Sequence, residues 1–296
     1  MGTFIQSLIN GLSIGSSYAL VAVGFTLIFG VLRVVYLTHA AVLAVGAYVG
    51  FFVLHYTGSV FITLLAGMIA SGFVGMIVEI VAIRTTRGQN HLIPMVTSIS
   101  AAVLIEETLR MTVEGGQPIS YPRAFTSDII RLHIGTAAPY FTVGQILVFV
   151  MTIVLVLALT YIVQRTWLGR SIRAVADSET TASLLGIRVN QTSSLTVGLA
   201  SVLAGAGGVL LALTITAIDP RFADPLQFKS IAIVLFVGMG SIPGAVVGGY
   251  LLGFVESFAV GYLESSYRDL FAYLMMIGIL MIRPQGLMGR QAAKRV

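Results

Sequence analysis

Ionisable side chains inside apolar segments are the first residues whose chemistry needs an explanation, because a charge in hydrocarbon survives only beside a partner, in a cavity or in a functional site. Glu106 and Glu107 sit together in such a segment, and Arg110 follows them by four and three residues. That spacing places the three on one helical face and lets the arginine neutralise one carboxylate. The pair is either a structural one near the outer end, or Glu107 faces a cavity and attracts a cationic group such as an ammonium. Glu79, near the inner end of its segment and close to Arg84, reads as a side chain reaching for water. Glu256 follows Gly248, Gly249 and Gly253 and reads as a hydrogen bond between packed helices. Thr38 and His39 open a further segment: either the histidine faces a path, or Thr38 caps the helix start. Thr97, Ser98 and Ser100 read as hydrogen bonds between helices.

Catalytic chemistry lacks its parts. There is no cysteine, hence no thiolate nucleophile, thiolate metal site or disulfide, and no nucleophile, base and orienting group form a recognisable set. A nucleotide-binding Gly-x-x-x-x-Gly-Lys-Ser/Thr loop needs its lysine, and the only lysines, Lys229 and Lys294, lie in no such loop. No metal or cofactor is expected in this chain.

The elements that position these residues are membrane helices. Hydrophobic residues make up 57% of the chain and charged ones only 10%, with a mean hydropathy of +0.96, far from the averages of soluble domains. Thirty-two glycines, many within apolar runs, predict closely approaching helices. A span needs about 20 apolar residues, which places segments near 8–32, 38–55, 60–83, 92–112, 140–163, 193–217, 228–262 and 267–283. The first is expected to be retained, since no basic residue precedes Arg33 and no signal-peptide cleavage pattern follows. The seventh is too long for one span and is interrupted by Gly238-Met-Gly240-Ser241-Ile-Pro243-Gly244, so two shorter segments joined by a turn are predicted. Half-helix ends at such a break would offer dipoles and free backbone groups to a passing solute. The alternative is a tight turn needed only for folding. The fold class is therefore an all-α polytopic membrane protein of about eight apolar segments with one or two broken or re-entrant helices, a single transmembrane domain over 1–296.

Arg84 and Arg87 flank one loop, Arg165, Arg170, Arg173 and Arg188 another, and Arg290, Lys294 and Arg295 the tail. The excess of basic residues in cytoplasmic loops makes these three cytoplasmic and places loop 113–139 outside. The net charge of +5 is thereby a topology signal, and no nucleic acid partner is expected.

One polar insert, 165–190, stands out. Ile172, Val175 and Ala176 share a helical face, while Asp177 and Ser178 can cap a second short helix ending at Gly186. This is either an amphipathic connector lying on lipid headgroups or a dock for a soluble partner. Leu168-Gly169-Arg170 through Arg173-Ala174 and on to Ala182-Ser-Leu184-Leu185-Gly186-Ile187 resembles the coupling loop of branched-chain amino acid type ABC importer permeases. Asn10-Gly11, Gly15-Ser-Ser-Tyr18 and Gly24-Phe-Thr-Leu-Ile-Phe-Gly30 are similar to that family's first helix. Gly238 through Gly249, Glu256, Tyr267-Arg-Asp269 and Arg283-Pro284-Gln-Gly286 are similar to its last third. Tyr36-Leu-Thr38-His39-Ala-Ala41 departs from the family's Asn-Phe-Ala-His-Gly-like run, keeping only the histidine.

The resemblance implies a translocation subunit in a bacterial cytoplasmic membrane, with a cytoplasmic C-terminus. It would pair with a second related permease, two ATP-binding subunits that carry ATP and Mg, and a periplasmic solute-binding protein. Gly169, Arg170, Arg173, Ala174, Asp177, Glu179, Leu184, Leu185 and Gly186 would couple to the ATPase. Thr38, His39, Glu107, Gly238, Gly240, Ser241, Pro243 and Gly244 would border the path of a small polar solute, a branched-chain or other amino acid. Two competing readings remain open here: a proton-coupled secondary transporter using Glu106, Glu107 or Glu256, and a urea- or amide-type permease.

Overall fold

The computed structural model describes residues 2–90, 92–112, 116–122, 129–131, 140–215, 217–238, 240–283 and 286. The chain forms α1 (Gly2–Leu32), α2 (His39–Thr57), α3 (Val60–Val78), α4 (Leu92–Thr112), α5 (Val143–Arg165), α6 (Trp167–Asp177), α7 (Glu179–Leu184), α8 (Val189–Ala212), α9 (Asp224–Val237), α10 (Ile242–Tyr262) and α11 (Arg268–Ile282). A π-helical turn, Glu79–Ile83, and a 3₁₀ turn, Arg84–Thr86, prolong α3. Among the described residues, eight helices are long and apolar enough to cross a membrane; α6, α7 and α9 are not among them. Predicted and observed segments agree within a few residues except at the start of α1, which begins six residues earlier at Gly2, and after α8, which stops at Ala212. There Thr214 turns its hydroxyl onto the Leu211 carbonyl, and β4 (Ala217–Ile218) pairs antiparallel with β1 (Ile119–Ser120). β2 (Ile129–Arg131) and β3 (Tyr140–Thr142) form a second short ribbon, and the rest of loop 113–139 lies mostly outside the described residues.

Burial separates centre from rim. In their most apolar stretches α1 is 83% buried and α8 78%, against 22% for α4 and α5 and 6% for α11, so the outer helices leave their apolar faces for lipid. Without a hydrophobic drive between helices in lipid, close packing must hold the centre, and the glycines allow it. α1 and α10 run antiparallel with Gly15 against Tyr250, Gly249 against Ala19 and Gly253 against Gly15; a Cβ on any of them would strike the facing helix. Gly46 of α2 meets Gly205 of α8 in the same way.

The basic loops gather at one end of the bundle. Arg33 donates to the Ala176 carbonyl at 2.6 Å, and Arg87 reaches Asn190 at 3.1 Å and pairs with Glu179 at 3.6 Å. This is called the basic end, and the other the far end. The predicted break is present: α9 stops at Gly238 (φ +109°), Gly240 is left-handed (φ +87°), and Ser241 caps α10 by accepting from the Gly244 amide at 3.1 Å, with Pro243 in the first turn where it costs no hydrogen bond. Its position is not the middle of the bundle. Gly240 lies beside Gly30, two residues before α1 ends, so the turn belongs to the basic end.

The helix ends at mid-depth are others. His39, the first residue of α2, lies against Gly24, eight residues and about 12 Å before the end of α1. α9, of 14 residues and about 21 Å, descends from mid-depth to the basic end. Two helices therefore begin inside the bundle, and their first amides need partners. Gln227 of α9 serves α2: its Oε1 accepts from the Ala40 amide at 2.8 Å, and its Nε2 donates to the Tyr36 carbonyl at 3.2 Å.

Candidate functional site

At the basic end, α6 and α7 form the two short helices read from the polar insert. Thr166 caps α6 by accepting from the Gly169 amide, and Ser178 caps α7 by accepting from the Thr181 amide, each at 3.2 Å. Gly186 closes α7 in the left-handed conformation (φ +82°), with the Ile187 amide on the Ala182 carbonyl at 3.0 Å. Ile172 and Val175 face the bundle, while Trp167, Leu184 and Leu185 are 71%, 82% and 75% exposed. Of the residues expected to couple, Arg170, Asp177, Leu184, Leu185 and Gly186 lie on the surface and Ala174 is half-buried. Gly169 is buried where a Cβ would meet the Ile162 and Val163 carbonyls. Arg173 folds back to donate to the Val163 carbonyl, and Glu179 is tied to Arg87, so these two fasten the unit to the bundle.

At the far end a cavity of about 980 Å³ opens between α1, the α8–α9 connection, α9, α10 and the start of α5. Thr3, Gln6, Asn10, Ser13 and Ser17 line it from α1, and their spacing of three or four residues makes a polar stripe on an otherwise apolar helix. Gln6 and Gln145 both donate to Asn10 Oδ1 at 3.2 Å, and Gln6 Oε1 accepts from the Tyr140 amide at 3.0 Å, which ties the rim to β3 and α5. Tyr121 also lines the cavity; burial pushes its phenol well above the usual range, so it stays a neutral hydroxyl.

The floor is a four-charge cluster. Lys229 Nζ is 2.8 Å from Glu256 Oε1, 2.8 Å from Asp269 Oδ1 and 3.1 Å from the Tyr18 hydroxyl. Arg268 Nε donates to Glu256 Oε2 at 2.6 Å and its Nη2 to the Tyr18 hydroxyl at 3.0 Å. Tyr18 in turn donates to Glu256 Oε2 at 2.6 Å. Glu256 is fully buried and Lys229 nearly so. Two cations against two carboxylates neutralise one another, which is how charges persist at this depth.

Glu79, Glu106 and Glu107, the other carboxylates singled out in the sequence, are paired as well. Glu106 is the buried member of its pair and meets Arg221 at 3.2 Å, while Glu107 is 37% exposed between Arg110 (3.5 Å) and Arg221 (3.8 Å). Glu79 does not reach for water: it is fully buried, with Arg84 at 3.4 Å and the Ser194 hydroxyl on its Oε2. Thr38 makes no capping bond; its hydroxyl donates to the Ser98 carbonyl of α4 at 2.7 Å. His39 is fully buried edge-on to Phe25, their ring centres 6.2 Å apart. Thr38, His39, Glu107, Gly238, Gly240, Ser241, Pro243 and Gly244 do not line the cavity. The first two sit at mid-depth and the last five at the basic end. Sequence reasoning passed over Lys229, Arg268, Asp269 and Tyr18 as site residues, although a lysine within an apolar helix was a signal in its own right.

A family model described as "Branched-chain amino acid transport system / permease component" matches residues 7–280. The chain belongs to this permease family. The permease is 30% identical over 302 residues to the Escherichia coli K12 "High-affinity branched-chain amino acid transport system permease protein LivH", covering 99% of this chain and 98% of LivH. It is 32% identical over 305 residues to the Pseudomonas aeruginosa protein of the same description, BraD, with the same coverage. The Yersinia pestis "Autoinducer 2 import system permease protein LsrC" is 26% identical over 224 residues, 73% of the permease and 59% of LsrC. The bundle of apolar helices and the absence of a phosphate-binding lysine loop agree with a membrane-embedded permease component of an ABC transport system.

Proposed function

We propose that this permease is the translocation subunit of an ATP-driven importer for a branched-chain or other small aliphatic amino acid. It works beside a second related permease, two ATP-binding subunits that hold ATP and Mg, and a periplasmic solute-binding protein. The observation that carries the reading is the α6–α7 unit: an apolar triad, Trp167, Leu184 and Leu185, held outward on a base locked to α5 and α1 by Arg173 and Arg33. A push on such a unit is passed to the core helices. The concentration of arginines at that end supports a cytoplasmic placement, and Arg283, which follows α11 at the same end, supports a cytoplasmic C-terminus. The full-length similarity to LivH and BraD supports the cargo. A proton-coupled carrier needs a carboxylate free to exchange its proton, whereas Glu106, Glu107 and Glu256 are each held by a cation.

The test is purification in lipid with whatever soluble and membrane proteins accompany the chain, followed by ATP hydrolysis with and without leucine, isoleucine, valine, urea or amides presented by a binding protein. Copurification of an ATPase with turnover stimulated by a branched-chain amino acid is expected. A chain that purifies alone and moves solute under a proton gradient overturns the reading, and stimulation by urea or amides alone overturns the cargo.

A further inference from the structure

The far-end cavity is one-sided in charge. Among its described lining residues there is no aspartate or glutamate, while Lys229 and Arg268 both face it; the carboxylates that neutralise them, Glu256 and Asp269, do not line it. The charge of the lysine is already answered, since its Nζ lies 2.8 Å from a carboxylate oxygen of both Glu256 and Asp269 and donates to the Tyr18 hydroxyl. Arg268 differs. Of its five N–H groups one goes to Glu256 and one to Tyr18, and the side chain is 40% exposed, so the Nη1–Nη2 edge is left to the cavity. That edge matches the two oxygens of a carboxylate. Opposite the polar stripe of α1, Leu211, Leu213, Ile215, Phe222 and Leu226 supply an apolar wall, and the volume falls in the range of about 300–1,000 Å³ usual for small-molecule sites.

We infer that this cavity is a solute site that reads a free carboxylate through the open edge of Arg268 and an aliphatic tail through the α8–α9 wall, with Lys229 as a positioning residue that holds Glu256 and thereby the guanidinium. The site deepens the importer reading and rests on it for the identity of the cargo. Its chemistry makes a sharper demand: the carboxylate is required and the ammonium is not.

The chain has no cysteine, so Ser13→Cys places a single thiol in the cavity wall. In the assembled complex in lipid, the rate of its modification by a small maleimide is followed against leucine, 4-methylpentanoate (the same tail and carboxylate without the ammonium) and leucinamide (no carboxylate). Leucine and 4-methylpentanoate are expected to protect at similar concentrations and leucinamide only at concentrations about tenfold higher or more, the range of a charge-assisted hydrogen bond. In Ser13→Cys/Arg268→Gln that ratio falls to about one; in Ser13→Cys/Arg268→Lys, which keeps the charge beside Glu256, it falls without being abolished. A structural role for Arg268 would weaken all three ligands alike and leave the ratio unchanged. Equal protection by leucinamide, a ratio unaltered by Arg268→Gln, or a thiol already blocked in the solute-free complex overturns the inference. ATP-dependent leucine uptake by the parent complex is measured in parallel. Protection without uptake leaves the site standing and fails the importer reading, and uptake without protection does the reverse.

Discussion

Replacing Lys229 by methionine tests the cluster beneath the cavity. The side chains are close in length, so the change removes a charge and little volume. Two ion pairs disappear, both of 2.8 Å, to a fully buried Glu256 and to Asp269, whose side chain is 64% exposed. The second is discounted for solvent and counts for well under about 1 kcal/mol. For the first, leaving a buried charge without its partner costs about 3–5 kcal/mol; Glu256 keeps Arg268 and Tyr18, each at 2.6 Å, which puts the expected loss at the lower end, about 3 kcal/mol, or roughly a hundredfold in the folded-to-unfolded ratio. The assay is reversible unfolding in mixed micelles for wild type, Lys229→Met, Glu256→Gln and the double variant. Since Glu256→Gln removes the charge that Lys229 faces, the double variant is expected to be at least about 1 kcal/mol more stable than the sum of the single losses predicts. A Lys229→Met protein as stable as wild type, or strictly additive losses, would refute the account of the cluster.

Three further outcomes follow from packing. Gly253→Leu drives a side chain into the Gly11–Gly15 backbone of α1 and is expected to cost more than about 2 kcal/mol, whereas Gly278→Leu, with open space around it, leaves the melting temperature within a degree or two. Gln227→Leu strands the Ala40 amide and is expected to cost about 1–3 kcal/mol, read from the same unfolding assay; unchanged stability would mean that the buried start of α2 has another partner. Leu184→Asp with Leu185→Asp changes two surface side chains, so the isolated chain should melt as wild type while copurification of the ATP-binding subunits drops at least tenfold; undiminished copurification would remove α7 from the contact.

The elements were legible where local chemistry decides them. Apolar length placed the spans, Gly238 with Ser241 and Pro243 gave the helix break, and Ser178 and Gly186 bounded α7. What stayed hidden was depth. Length and the glycine break read the 228–262 run as two shorter segments joined by a turn, but they do not tell that α9 starts at mid-depth, because that level is set by where the α8–α9 connection packs against α2 and β1. The floor of the cavity was hidden for the same reason. Tyr18, Lys229, Glu256 and Arg268 come from four helices, and their partnership is a product of the α1–α10 glycine seam rather than of spacing along the chain. Glu106 shows the limit within one helix: Arg110 has the right spacing, yet the cation that takes the buried carboxylate is Arg221, 115 residues away.

The neutrality of the floor has an electrical corollary. Carrying one elementary charge through the membrane potential exchanges about 2.3 kcal/mol per 100 mV, so an unbalanced lysine or glutamate near the middle of the bundle would make every rearrangement of α9, α10 and α11 a voltage-dependent event. Lys229 and Arg268 against Glu256 and Asp269 sum to zero, and the four can shift together without gaining or losing electrical work. The cluster therefore adds no gating charge of its own to the movements of α9, α10 and α11, whatever the membrane potential.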